Sequence, residues 1–274
     1  PHPACLLAQP EKHLDHTQAP ALALRIHTGI SHRVRTLTIR DDLLGWVISG
    51  RKTLTSPLKD IHFPAGKVFL VPRHTQWEVI NEAQPGGHYE ARIISFSPSL
   101  IEGFYQRFGQ FTALAKLQGC AITQADQAFA NTFEHASAAL NNPASSIAMR
   151  EHCAQEMLLL LAERGLGFPP PQSLSWSDRV YRLVGQRPDA PWTSEMIAQA
   201  FHMSSSSLQR RLAEEGSSLG RCVRDVRLET ALTLLQSSQL AIAEIAARCG
   251  YASHSRFSAA FRERFGYTPS HLRP

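Results

Sequence analysis

Two stretches near the C-terminus of this 274-residue chain carry short polar side chains, glutamine, arginine and histidine at helical spacing. Ser205, Ser206, Gln209 and Arg210 form the first group, and His254, Ser255, Arg256, Ser258 and Arg262 form the second. On a helix, each group lies away from an apolar stripe: Leu208 and Leu212 in the first stretch, Phe257, Phe261 and Phe265 in the second. A face of short side chains can enter a groove about 12 Å wide, where Gln and Arg pair with base edges through two hydrogen bonds at once. The chemistry expected is recognition of double-stranded DNA, with Arg262 the candidate for a phosphate contact rather than a base contact.

Other chemistries find fewer residues to carry them. Cys5, Cys120, Cys153, Cys222 and Cys249 form no CxxC pair and no Cys/His ligand spacing, which excludes a zinc ribbon, a thioredoxin-type site and a disulfide framework and fits a reducing cytosol. His27, His32, His62, His74 and His88 include no HxH pair followed by a spaced Glu, so no metal and no cofactor is expected. GxSxG, P-loop and GxGxxG patterns are absent, and without a nucleophile or base to name the chain is not read as an enzyme. Arg25, Trp46, Phe63, His74 and Trp77 are candidates for an effector pocket or its mouth, with Arg33 and Arg35 as further anion partners; core packing or solvated surface is the competing reading for each. The longest apolar run, Met157 to Ala162, falls far short of the roughly 20 residues of a membrane span. The start, Pro1 to Pro20, has no signal-peptide pattern and reads as poorly ordered. The expectation is a cytoplasmic protein with no membrane association.

These residues need elements to hold them. The length exceeds that of a usual single domain, and two domains are expected. From Ala21 to about Ser97 short β-rich runs follow one another: Val34–Arg40, Leu43–Ser49, Val68–Val71, Trp77–Ile80 and Tyr89–Phe96, separated by Gly66, Pro72 and Gly86-Gly87. Close spacing of short strands predicts a small barrel or sandwich. Three helices are then predicted, Leu100–Leu117, Gln124–Leu140 and Ser145–Arg164. The last has an apolar stripe through Ile147, Ala154, Met157, Leu158 and Leu161 that packs on the barrel or on a second subunit. Gly165–Ser175, with its three consecutive prolines, reads as a linker. Net charge is +5, and four of that surplus falls after the linker, where 13 Arg and no Lys face 9 acids. The all-arginine excess suits bidentate contacts to phosphate or guanine.

The region after the linker contains an internal repeat. TSEMIAQAFHMSSSSLQRRLAEEG (Thr193–Gly216) and LAIAEIAARCGYASHSRFSAAFRERFG (Leu240–Gly266) each place an Ile-Ala pair in a short helix before a tight connection and a second helix. Ala198 and Ala246 are 48 residues apart and Leu208 and Phe257 are 49 apart, so one residue is inserted between them. Each copy fits a helix-turn-helix. Gly250 supplies the turn in the second copy, and His202 stands at the matching position in the first, where a left-handed backbone would be strained. Between the copies, VRDVRLETALTLLQ predicts a helix with Val226, Leu228, Ala231, Leu232 and Leu235 facing inward. It would hold the two reading helices for successive major-groove segments, roughly 34 Å apart.

On these motifs, above all RLETALTLLQ (Arg227–Gln236) and IAEIAARCGYASHSRFSAAFRERFGYTPSHLR (Ile242–Arg273), the chain resembles the AraC/XylS family of bacterial transcription regulators. GWVISGRKTL, FPAGKVFLVPRHTQWEV and HYEARIISFSPSLI resemble, more loosely, the cupin-type sensory barrel of that family. The resemblance implies an α+β architecture: a poorly ordered 1–20, a cupin-like β-barrel with flanking dimerisation helices over 21–164, a linker over 165–175, and an all-α double helix-turn-helix unit over 176–274. It implies base contacts at Ser206, Gln209 and Arg210 and at His254, Ser255 and Ser258, with Ala259 standing where some members carry Arg. The second helix is therefore expected to position more than it specifies. The implied function is a transcription activator that contacts promoter DNA and RNA polymerase, forms a homodimer and answers to a small-molecule effector. A partner protein docking on the barrel, or a cupin enzyme fused to a DNA-binding tail, are the alternatives.

Overall fold

The computed structural model describes residues 19–56, 59–114, 116–117, 119–170 and 174–273. The expectation for the first twenty residues falls almost wholly outside this range, as does the middle of the proline-rich linker. Nine strands are present among the described residues: β1 (Ala21–Thr28), β2 (His32–Ile39), β3 (Asp42–Ser49), β4 (Arg51–Thr55), β5 (Asp60–Pro64), β6 (Lys67–Val71), β7 (Thr75–Glu82), β8 (Tyr89–Phe96) and β9 (Ala121–Gln124). They form two antiparallel sheets ordered β1-β8-β3-β6-β9 and β2-β7-β4-β5, a cupin-like barrel. Strands pack there because alternate side chains turn inward: in β7, Trp77, Val79 and Asn81 are buried and the residues between them are not. Val47, Leu54, Phe63, Phe69 and Tyr89 fill the space between the sheets, each at most 2% exposed.

Helices α1 (Pro98–Arg107), α2 (Gln127–Asn141) and α3 (Ile147–Glu163) cover the barrel. The helix predicted over Leu100–Leu117 ends ten residues early. Phe108 leaves the helical region at φ −117°, Gly109 opens a short 3-10 turn, and the chain then joins the sheet edge as β9 against β6. Ser97, Asp126 and Ser146 cap the three helices by accepting a backbone N–H in the first turn. The stripe of α3 packs inward through Cys153, Ala154, Met157, Leu158 and Leu161, whereas Ile147, predicted to share it, is 60% exposed.

Six further helices follow: α4 (Trp176–Gln186), α5 (Ser194–Ala200), α6 (Ser205–Glu214), α7 (Leu219–Ser237), α8 (Ile242–Arg248) and α9 (His254–Phe265). A 3-10 turn at Pro269–Leu272 ends the described chain. Val226, Leu228, Ala231, Leu232 and Leu235 of α7 are all buried, as the pattern of that helix predicts. Helices α4 to α6 and the start of α7 share an apolar cluster of Val180, Val184, Ile197, Leu208 and Leu212 with Cys222 and Val226. The apolar cluster of α7, α8 and α9 is instead continuous with the barrel interior, joining Leu232, Phe257 and Phe261 to Val34, Val47 and Trp77.

Candidate nucleic-acid interface

The two helix pairs repeat down to individual hydrogen bonds. After α5, His202 N–H donates to the Gln199 carbonyl at 3.0 Å and Met203 N–H to the Ala198 carbonyl at 3.0 Å. After α8, Gly250 N–H donates to Ala247 and Tyr251 N–H to Ala246, both at 2.9 Å. These are the paired bonds of a left-handed helix stop, and His202 (φ 54°) adopts the conformation of Gly250 (φ 74°). Histidine is among the non-glycine residues found there more often than most, which explains how the first copy makes the turn without glycine. Ser204 then caps α6 and Ser253 caps α9, each accepting the N–H three residues on. The inserted residue therefore lies between turn and cap, where Tyr251 and Ala252 replace Met203 alone.

Burial sorts the faces of both second helices. Leu208 and Leu212 of α6, and Phe257, Phe261 and Phe265 of α9, are at most 2% exposed and seat the helices; each is worth about 1.5–3 kcal/mol of apolar burial. On α6, Ser206, Gln209 and Arg210 are exposed and Ser205 is half-buried beside them. Arg210 faces Glu214, one turn away at 3.9 Å, while Arg211 turns aside to lie 4.3 Å from the Trp176 ring of α4. On α9, His254, Ser255, Arg256, Ala259 and Arg262 are exposed and Ser258 is half-buried. No ion pair holds Arg256 or Arg262 among the described residues. The structure thus leaves every member of the two predicted groups exposed or half-buried on the second helix of its pair.

The five candidates for an effector pocket go to different places. Phe63 and Trp77 lie in the barrel core, Trp77 donating its indole N–H to Thr75 at 3.0 Å. Trp46 packs on the outside of its sheet, edge-on to Phe129 and Phe133. Arg25 lies on the surface in a bidentate pair with Glu90 at 2.8 and 3.0 Å. His74 occupies the turn before β7 at φ 62°, with its ring 3.5 Å from Asp178 of α4. Among the described residues no three His, Cys, Asp or Glu side chains are grouped to hold a metal. Burial pushes the thiols of Cys120 and Cys249 up to about 11 and about 12, so neither is a ready nucleophile.

His74 belongs instead to a contact between barrel and helices that the sequence did not disclose. Arg40 lies with its guanidinium carbon 3.0 Å from the centre of the Tyr181 ring and its Nε 3.2 Å from Glu229 of α7. Arg182 pairs with Asp41 at 2.8 Å, and Arg264 of α9 donates to the Arg35 carbonyl of β2 at 2.9 Å while facing Asp225 and Glu229. Burial pushes the Glu229 carboxyl up, and Arg40 and Arg264 oppose it. Arg40 and Glu229 are 189 residues apart, so no local pattern could announce the pair.

The family model described as a helix-turn-helix domain matches residues 197–274, and the one described as the ExsA N-terminal regulatory domain matches residues 42–166. The urease operon transcriptional activator of Escherichia coli is 33% identical over 94 residues, which are 34% of this chain and 32% of that protein. The chain thus aligns with about a third of that relative's length. Among solved structures, a variant of ToxT from Vibrio cholerae without ligand superimposes with a TM-score of 0.63 at 13% identity, covering 92% of this chain and 96% of that one. Unsaturated fatty acid-bound ToxT gives 0.59 at 13% identity, covering 91% and 92%. At that identity the likeness is one of fold. No helix among the described residues is long and apolar enough to cross a membrane.

Proposed function

The chain belongs to the AraC/XylS family of transcription regulators, and on that premise we propose that it is a sequence-specific DNA-binding regulator of the cytoplasm, an activator that also contacts RNA polymerase. The observation that carries the reading is the duplicated helix-turn-helix, alike in turn, cap and buried face, with an open polar face on each second helix. Ser205, Ser206, Gln209 and Arg210, with His254, Ser255, Arg256 and Ser258, form the base-reading and positioning set, and Arg262 meets phosphate. A gel-shift titration at physiological salt against the chain's own upstream region and against random DNA tests this; equal affinities would refute it.

The barrel is the regulatory unit in this reading, over residues 21–164, and answers to a small-molecule effector. That a protein of the same fold has been captured with an unsaturated fatty acid supports it. A partner protein docking on the barrel is the second reading, favoured by the filling of the barrel interior by Phe63, Phe69 and Tyr89, which a small ligand would have to displace. Melting of the full chain in fractionated cell extract separates them, since a heat-stable small-molecule fraction raises the melting temperature in one case and a protein fraction in the other. In this reading homodimerisation uses the start of α3, a choice supported by the exposure of Ile147 and Met149, 60% and 50%. Sedimentation of Ile147→Asp beside the unaltered chain tests that placement.

A further inference from the structure

A line of polar groups runs from the middle of the barrel to α7, the helix that joins the two helix-turn-helix units. Lys52 of β4 is 7% exposed, donates to Asn81 Oδ1 of β7 at 2.8 Å, lies 3.5 Å from the Tyr89 hydroxyl of β8, and is in no ion pair among the described residues. Asn81, its oxygen committed to Lys52, places its Nδ2 3.3 Å from His32 Nε2. The same ring nitrogen lies 2.7 Å from the side-chain amide of Gln236 on α7, and the imidazole, 5% exposed, meets the Tyr267 ring edge-on at 6.3 Å. His32 therefore closes the seam between barrel and DNA-facing helices from the barrel side.

The hydrogen bonds fix the protonation state of this ring. The Ile30 carbonyl, 3.2 Å from Nδ1, can only accept, so Nδ1 carries the proton. Nε2 must then accept from the amide groups of Asn81 and Gln236. A second proton would set an N–H against Asn81, which cannot turn over without taking its oxygen from Lys52. Only Gln236 can turn to offer its oxygen, and among the described residues no carboxylate acts on the buried cation. The charged groups acting on the ring are Lys52 of β4 and His271 of the C-terminal 3-10 turn, both cationic when protonated. Tyr89 of β8 and Tyr267 are the other titratable groups close by, and burial pushes both hydroxyls up.

We propose that His32 is a proton-operated latch: neutral, it fastens the barrel to α7 through Gln236, and on protonation it releases the second reading helix from the barrel. Burial holds the closed imidazole down to about 4 from the ordinary 6.5, with Lys52 and His271 acting in the same direction and the Ile30 carbonyl opposing. Opening the seam returns the ring to water and to its ordinary value. The closed form thus binds fewer protons, and its advantage from His32 is complete at high pH and shrinks as pH falls through the ordinary histidine range. Between about pH 7.5 and about pH 5.5 the closed-to-open ratio falls roughly tenfold. The latch deepens the reading of the helices as a DNA-binding unit, since that unit is what it frees.

The test uses the full chain without DNA, so failure of the latch and failure of the DNA-binding reading stay distinct. An NMR titration of the His32 ring is expected to show a midpoint near 4 in the unaltered chain, rising toward 6.5 when Gln236→Leu and Arg264→Ala loosen the seam from the other side. An ordinary midpoint in the unaltered chain, or a low one unmoved by loosening, overturns the proposal. Gln236→Glu, which offers the imidazolium a carboxylate and leaves the barrel untouched, is expected to raise the midpoint and keep the seam closed on acidification. Energy transfer between dyes at exposed Gln84 and Ala259, the latter on α9, in an Arg40→Ala background that populates the open form, should register the roughly tenfold change in ratio. Adding His32→Gln should flatten that response, and a response of unchanged size would sink the latch.

Discussion

Gln209 and Arg210 are neighbours on one exposed face, yet they enter a DNA complex from different starting points. Among the described residues Gln209 has no side-chain partner to give up, while Arg210 gives up a long contact with Glu214 at 3.9 Å. Both can therefore spend nearly all of their pairing energy on bases. Gln209→Ala or Arg210→Ala is expected to cost about 1–3 kcal/mol on the target site and much less on random DNA. Binding titrations on both DNAs check this, and an equal loss on each would reassign the residue to phosphate. Arg262 is expected to behave in that second way: Arg262→Ala should weaken binding to all sequences and reduce the slope of log affinity against log salt by about 0.9, one phosphate contact's worth. Ala259 offers α9 no hydrogen bond, which leaves Arg256 and Arg262 as its longest exposed donors and favours positioning over reading for that helix. The exposed polar faces of α6 and α9 were legible in the sequence because their signal is local, an apolar stripe every three or four residues with small polar side chains beside it. His32, Arg40, Asp41, Glu229 and Gln236 were not legible as a group, because each meets its partner across the fold.

Single elements show the same division between local and distant causes. Strand β8 spans Tyr89–Phe96 as its composition predicts, and α7 buries the five residues its period predicts. Strand β9 is only four residues long and is fixed by pairing with β6, so nothing nearby marked it and the preceding helix was drawn too long. The repeat was visible at 48 and 49 residues, and the structure explains the difference by a connection one residue longer between turn and cap in the second copy. The two turns also differ in how much they tolerate. A Cβ at Gly250 would lie 2.8 Å from the Arg227 guanidinium and 2.8 Å from the Pro188 carbonyl, which Arg227 itself binds at 2.8 Å. Gly250→Ala should thus destabilise the chain by about 1–3 kcal/mol, combining left-handed strain with a disturbed Arg227 clamp. His202 is exposed at the matching turn, and His202→Gly should stabilise by about 0.5–1 kcal/mol through relief of strain alone. Urea denaturation of the two variants measures both, and a destabilised His202→Gly chain would show that the histidine side chain has a role its exposure does not reveal.

Over the whole molecule, the apolar clusters do not follow the boundary that the proline-rich linker marks in the sequence. The first helix-turn-helix clusters with α4 and the start of α7, apart from the barrel, while the second shares a cluster with the barrel interior; Arg264 ties α9 to β2, and Arg40 and Gln236 tie α7 to β2 and the β2–β3 turn. Among the described residues the barrel thus meets α7 and α9 directly, and meets α4, beside α6, through the Asp41–Arg182 and His74–Asp178 contacts. In the proposed function, where the second helix positions the protein, this places register on DNA under more direct control of the barrel than base reading. This arrangement predicts how damage spreads. Leu235, 3% exposed in the shared cluster, leaves a cavity when shortened to alanine, at a cost of about 2–5 kcal/mol. Hydrogen exchange in Leu235→Ala should quicken together in β1, β2 and α9, because the barrel and the second head lose a common core. In Leu208→Ala, whose side chain belongs to the separate cluster, exchange should quicken in α5 and α6 while the barrel strands keep their protection. Barrel amides that respond equally to both substitutions would mean that the molecule unfolds as one unit, and the path from barrel to second head would then have no privileged status.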